Sequence, residues 1–107
     1  DDQQSPSFFA KKYECLVVVK GVEDVVCDEN KCVKIAGGNE GMTKGGTGDV
    51  LAGLIAALYC KNDAFLAASC GTYLNGLAGD KLYERVGPYF NASDLVCELP
   101  NTMKEAL

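Results

Sequence analysis

The run Gly41-Met42-Thr43-Lys44-Gly45-Gly46-Thr47-Gly48-Asp49 is the stretch of this 107-residue chain best suited to chemistry. Six of the twelve glycines fall between positions 37 and 48, and an apolar run of helix formers, Val50–Tyr59, follows at once. A helix start leaves its first amides unpaired and carries about half a positive charge from the macrodipole. Glycines let several N–H groups converge and let a phosphate approach with no Cβ in the way. The sequence therefore predicts an anion hole made of backbone, with Gly46, Thr47 and Gly48 supplying its amides. It is neither of two familiar phosphate loops. A P-loop needs a Gly-Lys dipeptide, which does not occur, and Leu51 stands where a Rossmann fingerprint would place its third glycine. Asp49 sets the loop apart, because an anion site gains nothing from a carboxylate unless that carboxylate faces the reacting group. There it can orient and deprotonate a hydroxyl nucleophile while the amides stabilise the transferring phosphoryl. The simpler alternative is a turn of glycines with Asp49 capping the helix.

Composition narrows the chemistry further. There is no His, which removes the Ser-His and Cys-His nucleophile pairs and the commonest zinc ligand. Ten basic residues against fifteen acidic ones give a net charge of −5, ill-suited to a nucleic-acid backbone or an anionic membrane. Backbone amides hold phosphates without net positive charge, so a nucleotide ligand remains open. None of the six cysteines forms a Cys-x-x-Cys pair, and most lie in apolar runs, which predicts buried small hydrophobes. Cys27 and Cys32 are the exception: a hairpin turn over Asp28–Lys31 would set them opposite one another, where free thiols and a disulfide are both open. No apolar stretch reaches the length of a membrane span, and residues 1–7 read as a disordered lead without secretory character, so the expected compartment is the cytoplasm.

The elements around the loop follow from patterning. Phe8–Tyr13 suits the end of a helix. Cys15–Lys20, nearly continuous in β-branched residues, suits a strand buried on both faces of a parallel sheet. Glu23–Cys27 and Lys31–Ile35 read as two strands around the polar Asp28-Glu29-Asn30 turn. After the Val50–Tyr59 helix, Asn62 or Asp63 can cap a second helix reaching about Val86. Ser93 or Asp94 can cap a third segment, Leu95–Leu99, interrupted by Pro100 and open to resumption as Asn101–Leu107. The order is that of the tail of an α/β layered domain, and the chain reads as half of something.

Gly38-Asn39-Glu40-Gly41-Met42-Thr43-Lys44-Gly45-Gly46-Thr47-Gly48-Asp49-Val50-Leu51-Ala52-Gly53 resembles the signature of the ADP-dependent NAD(P)H-hydrate dehydratases, of the ribokinase-like superfamily. Val17-Val18-Val19-Lys20-Gly21, Tyr73–Asp80 and Ala92–Pro100 resemble that family in order and spacing. The resemblance covers residues 8–107 and implies the C-terminal half of such a domain, the C-terminal portion of a three-layer α/β/α fold. It implies phosphoryl transfer from ADP to the hydroxyl of hydrated NADH or NADPH, then phosphate elimination. Asp49 would be the base and would touch the hydrate, with Asn39 as a second substrate contact. Lys20, Gly21, Val22, Glu23 and Asp24 would hold the nucleotide together with Gly48, and Gly46, Thr47 and Gly48 would form the anion hole. Asp24 departs from the family, where Thr is frequent, which leaves the choice of ADP or ATP open. No metal ligands are expected in the chain itself; Mg2+ would come with the nucleotide.

Structural readings stand beside these: Lys20 as a solvated strand end, Asn39 serving the turn, Asn75 and Asp80 as capping or surface residues. Two other functions stay open, a ribokinase-like kinase of a small alcohol (a vitamin precursor or sugar) and a catalytically silent nucleotide-binding or assembly module. The apolar Leu16–Val19 run cannot be covered by so few strands, which predicts pairing with a complementary N-terminal half or with copies of itself.

Overall fold

A computed structural model describes residues 5–107 and shows a mixed α/β chain. Helix α1 (Pro6–Tyr13) begins where Ser5 accepts the Phe8 N–H and Pro6 opens the first turn. The expected disordered lead is thus corrected for positions 5–7, which start a helix; residues 1–4 lie outside the described residues.

Three short strands follow as an antiparallel meander: β1 (Val17–Val19), β2 (Asp24–Cys27) and β3 (Cys32–Ile35), in the order β1-β2-β3. The expected parallel, doubly buried strand is not what forms. Val18 faces Val26 in an antiparallel pair, Val17 and Val18 are half-buried, and Val19 is 41% exposed. Chain reversal is enforced four residues on, where Asp24 accepts the Gly21 N–H at 3.0 Å and closes a tight turn.

The β2–β3 hairpin forms as expected: Asp28 Oδ1 accepts the amides of Asn30 and Lys31, and Asp28 N–H donates to Lys31 O. These amides hold the Asp28 carboxyl below its usual range. Cys27 and Cys32 are paired across the hairpin and joined as a disulfide, with Cα atoms 4.1 Å apart. Cys15, Cys60, Cys70 and Cys97 are exposed, contrary to the buried role predicted for most cysteines. Apolar neighbours along the chain do not say which side of an element a thiol occupies.

The helical part comprises α2 (Thr47–Tyr59), α3 (Ala64–Val86) and α4 (Ala92–Ala106). Asp63 caps α3 through the Leu66 N–H. Asn91, not Ser93 or Asp94, caps α4, and Asp94 completes a reciprocal capping box by accepting the Asn91 N–H. Helix α4 also runs through Pro100. The core joins Ala78 and Leu82 of α3 to Phe90 and to Leu95 of α4, with Met42 and Val50 packed against it. Helix α3 is the hub, touching α2, α4, β2 and β3. Among the described residues no helix is long and apolar enough to cross a membrane.

Candidate functional site

The glycine loop enters α2 through Gly46, the N-cap residue, at φ 93°. Only glycine adopts that conformation freely, and a Cβ here would also lie 2.9 Å from the Cβ of Ala92. No side chain caps α2, and its first bond runs from Val50 N–H to Gly46 O. The amides of Thr47, Gly48 and Asp49 therefore have no partner within the helix, and the positive end of the dipole is open. The Thr47 hydroxyl is turned back into the loop, 2.7 Å from Met42 O and 3.0 Å from Lys44 O. Lys44 is turned away as well: its ammonium donates to Pro88 O and Phe90 O and lies 4.6 Å from the Phe90 ring centroid. What faces a ligand at this helix end is backbone.

A cavity of about 720 Å³ opens beside that end, the size of a small-molecule site. It brings together Lys20, Gly21, Val22 and Asp24 from the β1–β2 turn, Asn39 from the loop, and Thr47 and Gly48 from α2. Most of the nucleotide residues expected from the sequence thus meet the anion-hole residues across one space. Glu23, Gly46 and Asp49 do not line it. Asp49 lies in the first turn of α2, exposed, one residue beyond the cavity wall.

Asp24 is 5% exposed, and its carboxylate accepts from Lys20 Nζ at 2.9 Å as well as from Gly21 N–H. The departure from Thr therefore does not set a bare negative charge beside phosphates. It makes an internal ion pair that pins Lys20 at the cavity wall and leaves part of its ammonium open. Lys20 is accordingly not a freely solvated strand end.

Asn75 is a site residue that sequence reasoning set aside. It is 1% exposed, it lines the cavity, and its Oδ1 has no hydrogen-bond partner. A buried acceptor left unpaired costs about 1–3 kcal/mol, a cost that a donor on a ligand removes. Thr43, Lys44, Gly37, Gly38 and Glu40 are further lining residues. Asn39 sits at the wall, but its side chain is engaged: Oδ1 accepts the Gly41 N–H and Nδ2 donates to Asp80. Among the described residues no group of three metal-ligating side chains comes together.

Comparison with known proteins finds relatives in sequence and in fold. The chain is 49% identical over 88 residues to a bifunctional NAD(P)H-hydrate repair enzyme Nnr of Methanocaldococcus jannaschii, covering 82% of this chain and 18% of the relative. It is 38% identical over 96 residues to an ADP-dependent (S)-NAD(P)H-hydrate dehydratase of Cenarchaeum symbiosum, covering 89% and 33%. The chain thus spans about a fifth to a third of these relatives' length. Its fold matches an ADP/ATP-dependent NAD(P)H-hydrate dehydratase of Bacillus subtilis with a TM-score of 0.84 and 27% identity, over 96% of this chain and 41% of that one. A ribokinase-like superfamily protein of Enterococcus faecalis V583 matches at 0.80 and 29%, over 96% and 37%. The fold class is therefore the C-terminal part of the ribokinase-like α/β fold. A model of the NAD(P)H-hydrate dehydratase family matches residues 1–101, and the chain belongs to that family.

Proposed function

We propose that this chain forms the nucleotide-binding and catalytic-base part of an ADP-dependent NAD(P)H-hydrate dehydratase. The observation that carries the reading is the uncapped N-terminus of α2 beside a cavity lined by Lys20 and by Asn75, whose buried Oδ1 is unpaired. A nucleoside diphosphate supplies what each lacks: phosphate oxygens for the amides and Lys20, and N–H or O–H donors for Asn75.

In this reading Asp49, just outside the cavity, takes the proton from the hydrate hydroxyl. The freed oxygen bonds to the terminal phosphorus of ADP, and the bond to the leaving AMP breaks. The amides of Thr47 and Gly48 are aimed at charge developing on the transferring group. The ring C–O bond of the new phosphate ester then breaks, inorganic phosphate departing with the bonding electrons, and loss of a ring proton to solvent restores the double bond. The residues present make no Mg2+ cage of their own, so Mg2+ would ride on the nucleotide phosphates, and no step here depends on it.

The test is recovery of NADPH from its hydrate on adding ADP or ATP, using this chain together with a complementary N-terminal half. Asp49→Asn should lower turnover about 10²–10⁴-fold while leaving ADP binding in place. A stable phosphorylated alcohol with no action on the hydrate would favour the small-alcohol kinase, and binding without turnover the silent module. We propose too that the chain works against further sheet or a second copy. Exposed Val19 and Val22, and an α2 that buries only Leu51, support this, and sedimentation at micromolar concentration tests it.

A further inference from the structure

Gly76, Gly79, Asp80 and Tyr83 recur on α3 at i, i+3, i+4 and i+7, the spacing of a single helix face. That face meets the loop that walls the cavity. A Cβ at Gly76 would lie 3.2 Å from Gly38 N and 3.3 Å from Gly37 C, so loop backbone rests directly on the helix. A Cβ at Gly79 would overlap the side chain of Met42, which fills the notch. The Tyr83 hydroxyl donates to Glu40.

Asp80 stands at the centre of this contact. Its Oδ2 accepts the Gly38 N–H at 3.2 Å and its Oδ1 accepts Asn39 Nδ2 at 2.9 Å. Asn39 Oδ1 in turn accepts the Gly41 N–H at 2.9 Å and shapes the single 3-10 turn Glu40–Met42. The turn's last residue offers its carbonyl to the Thr47 hydroxyl at 2.7 Å, on the first residue of α2. An unbroken relay thus runs from the middle of α3 to the start of α2. Among the described residues no Lys or Arg pairs with Asp80, so its carboxylate is not there for a surface ion pair.

We propose that Asp80 is a positioning residue, which through Asn39 sets the glycine loop and with it the amides of Thr47 and Gly48. Asn39 then serves the loop's geometry and does not contact the substrate. The inference rests on the phosphoryl-transfer reading of the cavity. Only a carboxylate at position 80 accepts from both donors at once; an amide of the same shape sets a donor against a donor.

The relay has a polarity that can be exchanged. In this chain assayed with a complementary N-terminal half, Asp80→Asn should lower kcat at least about tenfold, because small misplacements of reacting groups carry large rate penalties. The KM for ADP should stay within about threefold, as expected when transition-state alignment is what suffers. Asn39→Asp alone sets two carboxylates face to face and should do the same. In the D80N/N39D double variant the amide at 80 donates to the carboxylate at 39 and still accepts the Gly38 N–H. The carboxylate at 39 still accepts the Gly41 N–H, and kcat should return to within about threefold of wild type.

Amide hydrogen exchange over residues 37–42 reads the relay without turnover: faster in each single variant, slow again in the double. A double variant no more active than the singles, or exchange in that segment indifferent to Asp80→Asn, overturns the proposal. If Asp80→Asn does not fold, the double variant decides, since folding with wild-type exchange supports the relay and failure to fold overturns it. A wild-type protein with no ADP-dependent turnover would sink the phosphoryl-transfer reading, while the exchange pattern still supports or overturns the relay.

Discussion

Gly46 and Gly48 stand two residues apart in one loop, yet alanine should act on them in opposite directions. At Gly46 the backbone is left-handed and the new methyl would meet Ala92 Cβ at 2.9 Å, a rigid atom on the first turn of α4. The left-handed conformation costs about 1–2 kcal/mol and the overpacking about 1–3, so Gly46→Ala should destabilise the fold by about 2–5 kcal/mol. At Gly48, inside the first turn of α2, a Cβ meets nothing within 4 Å and the backbone is not left-handed. Alanine is the better helix former by up to about 1 kcal/mol, so Gly48→Ala should stabilise the protein slightly. Nothing in the fold asks for glycine there, and in the proposed function the empty space is where a phosphate sits. A methyl on the cavity wall should therefore weaken ADP binding at least about tenfold, or about 1.4 kcal/mol. Urea denaturation and titration calorimetry with ADP on the same two variants separate the effects. Gly48→Ala protein that binds ADP as tightly as wild type would refute the argument that a phosphate approaches this amide.

Two further outcomes follow from contacts near the loop. Lys44→Met removes the bonds to Pro88 O and Phe90 O and the contact with the Phe90 ring, and should cost about 1–3 kcal/mol; an unshifted urea midpoint would show the strut to be idle. The Tyr83 phenol is raised above its usual pKa by its hydrogen bond to Glu40 and by that carboxylate's charge. A raised folded value means the contact's stabilisation is full below the unfolded tyrosine pKa near 10 and lost as pH climbs through the folded one. Glu40→Gln should bring the phenolate absorbance titration of Tyr83 back down, and no movement would remove Glu40 as its cause.

The parts legible in the sequence are those whose determinants are local. Asp28 and Asn30 announce the hairpin because the turn is made by their own side chains and amides. The uncapped start of α2 is legible because glycines followed by a strong helix former specify it. The strand at Val17–Val19 was misjudged because an apolar β-branched run reads alike in a central parallel strand and in a short antiparallel one. Asn75 and Asp80 lie in the Tyr73–Asp80 run that resembles the family, but nothing local says what they touch: on a 23-residue helix, Asp80's partners stand 41 and 42 residues upstream. Pro100 reads as an interruption between two helical pieces, yet α4 runs through it unbroken with Thr102 buried beyond. Tertiary packing decided against local propensity there.

The meander that carries Lys20 and Asp24 has consequences for the order in which the molecule assembles. Its three strands pair with their nearest neighbours in the chain, and α2, α3 and α4 likewise pack on their sequential neighbours. Each module closes over short loops, which costs little chain entropy. The cavity belongs to neither: its lining comes from the meander, from the helices and, for the largest share, from the segment between Ile35 and Thr47 that joins them. It exists only after the two modules have docked where α3 meets β2 and β3. A nucleotide that touches Lys20 and Gly48 together binds the docked state alone, so its binding energy is also docking energy. A nucleotide bound as proposed would act as a clasp between two locally folded pieces, holding closed the junction that creates its own site.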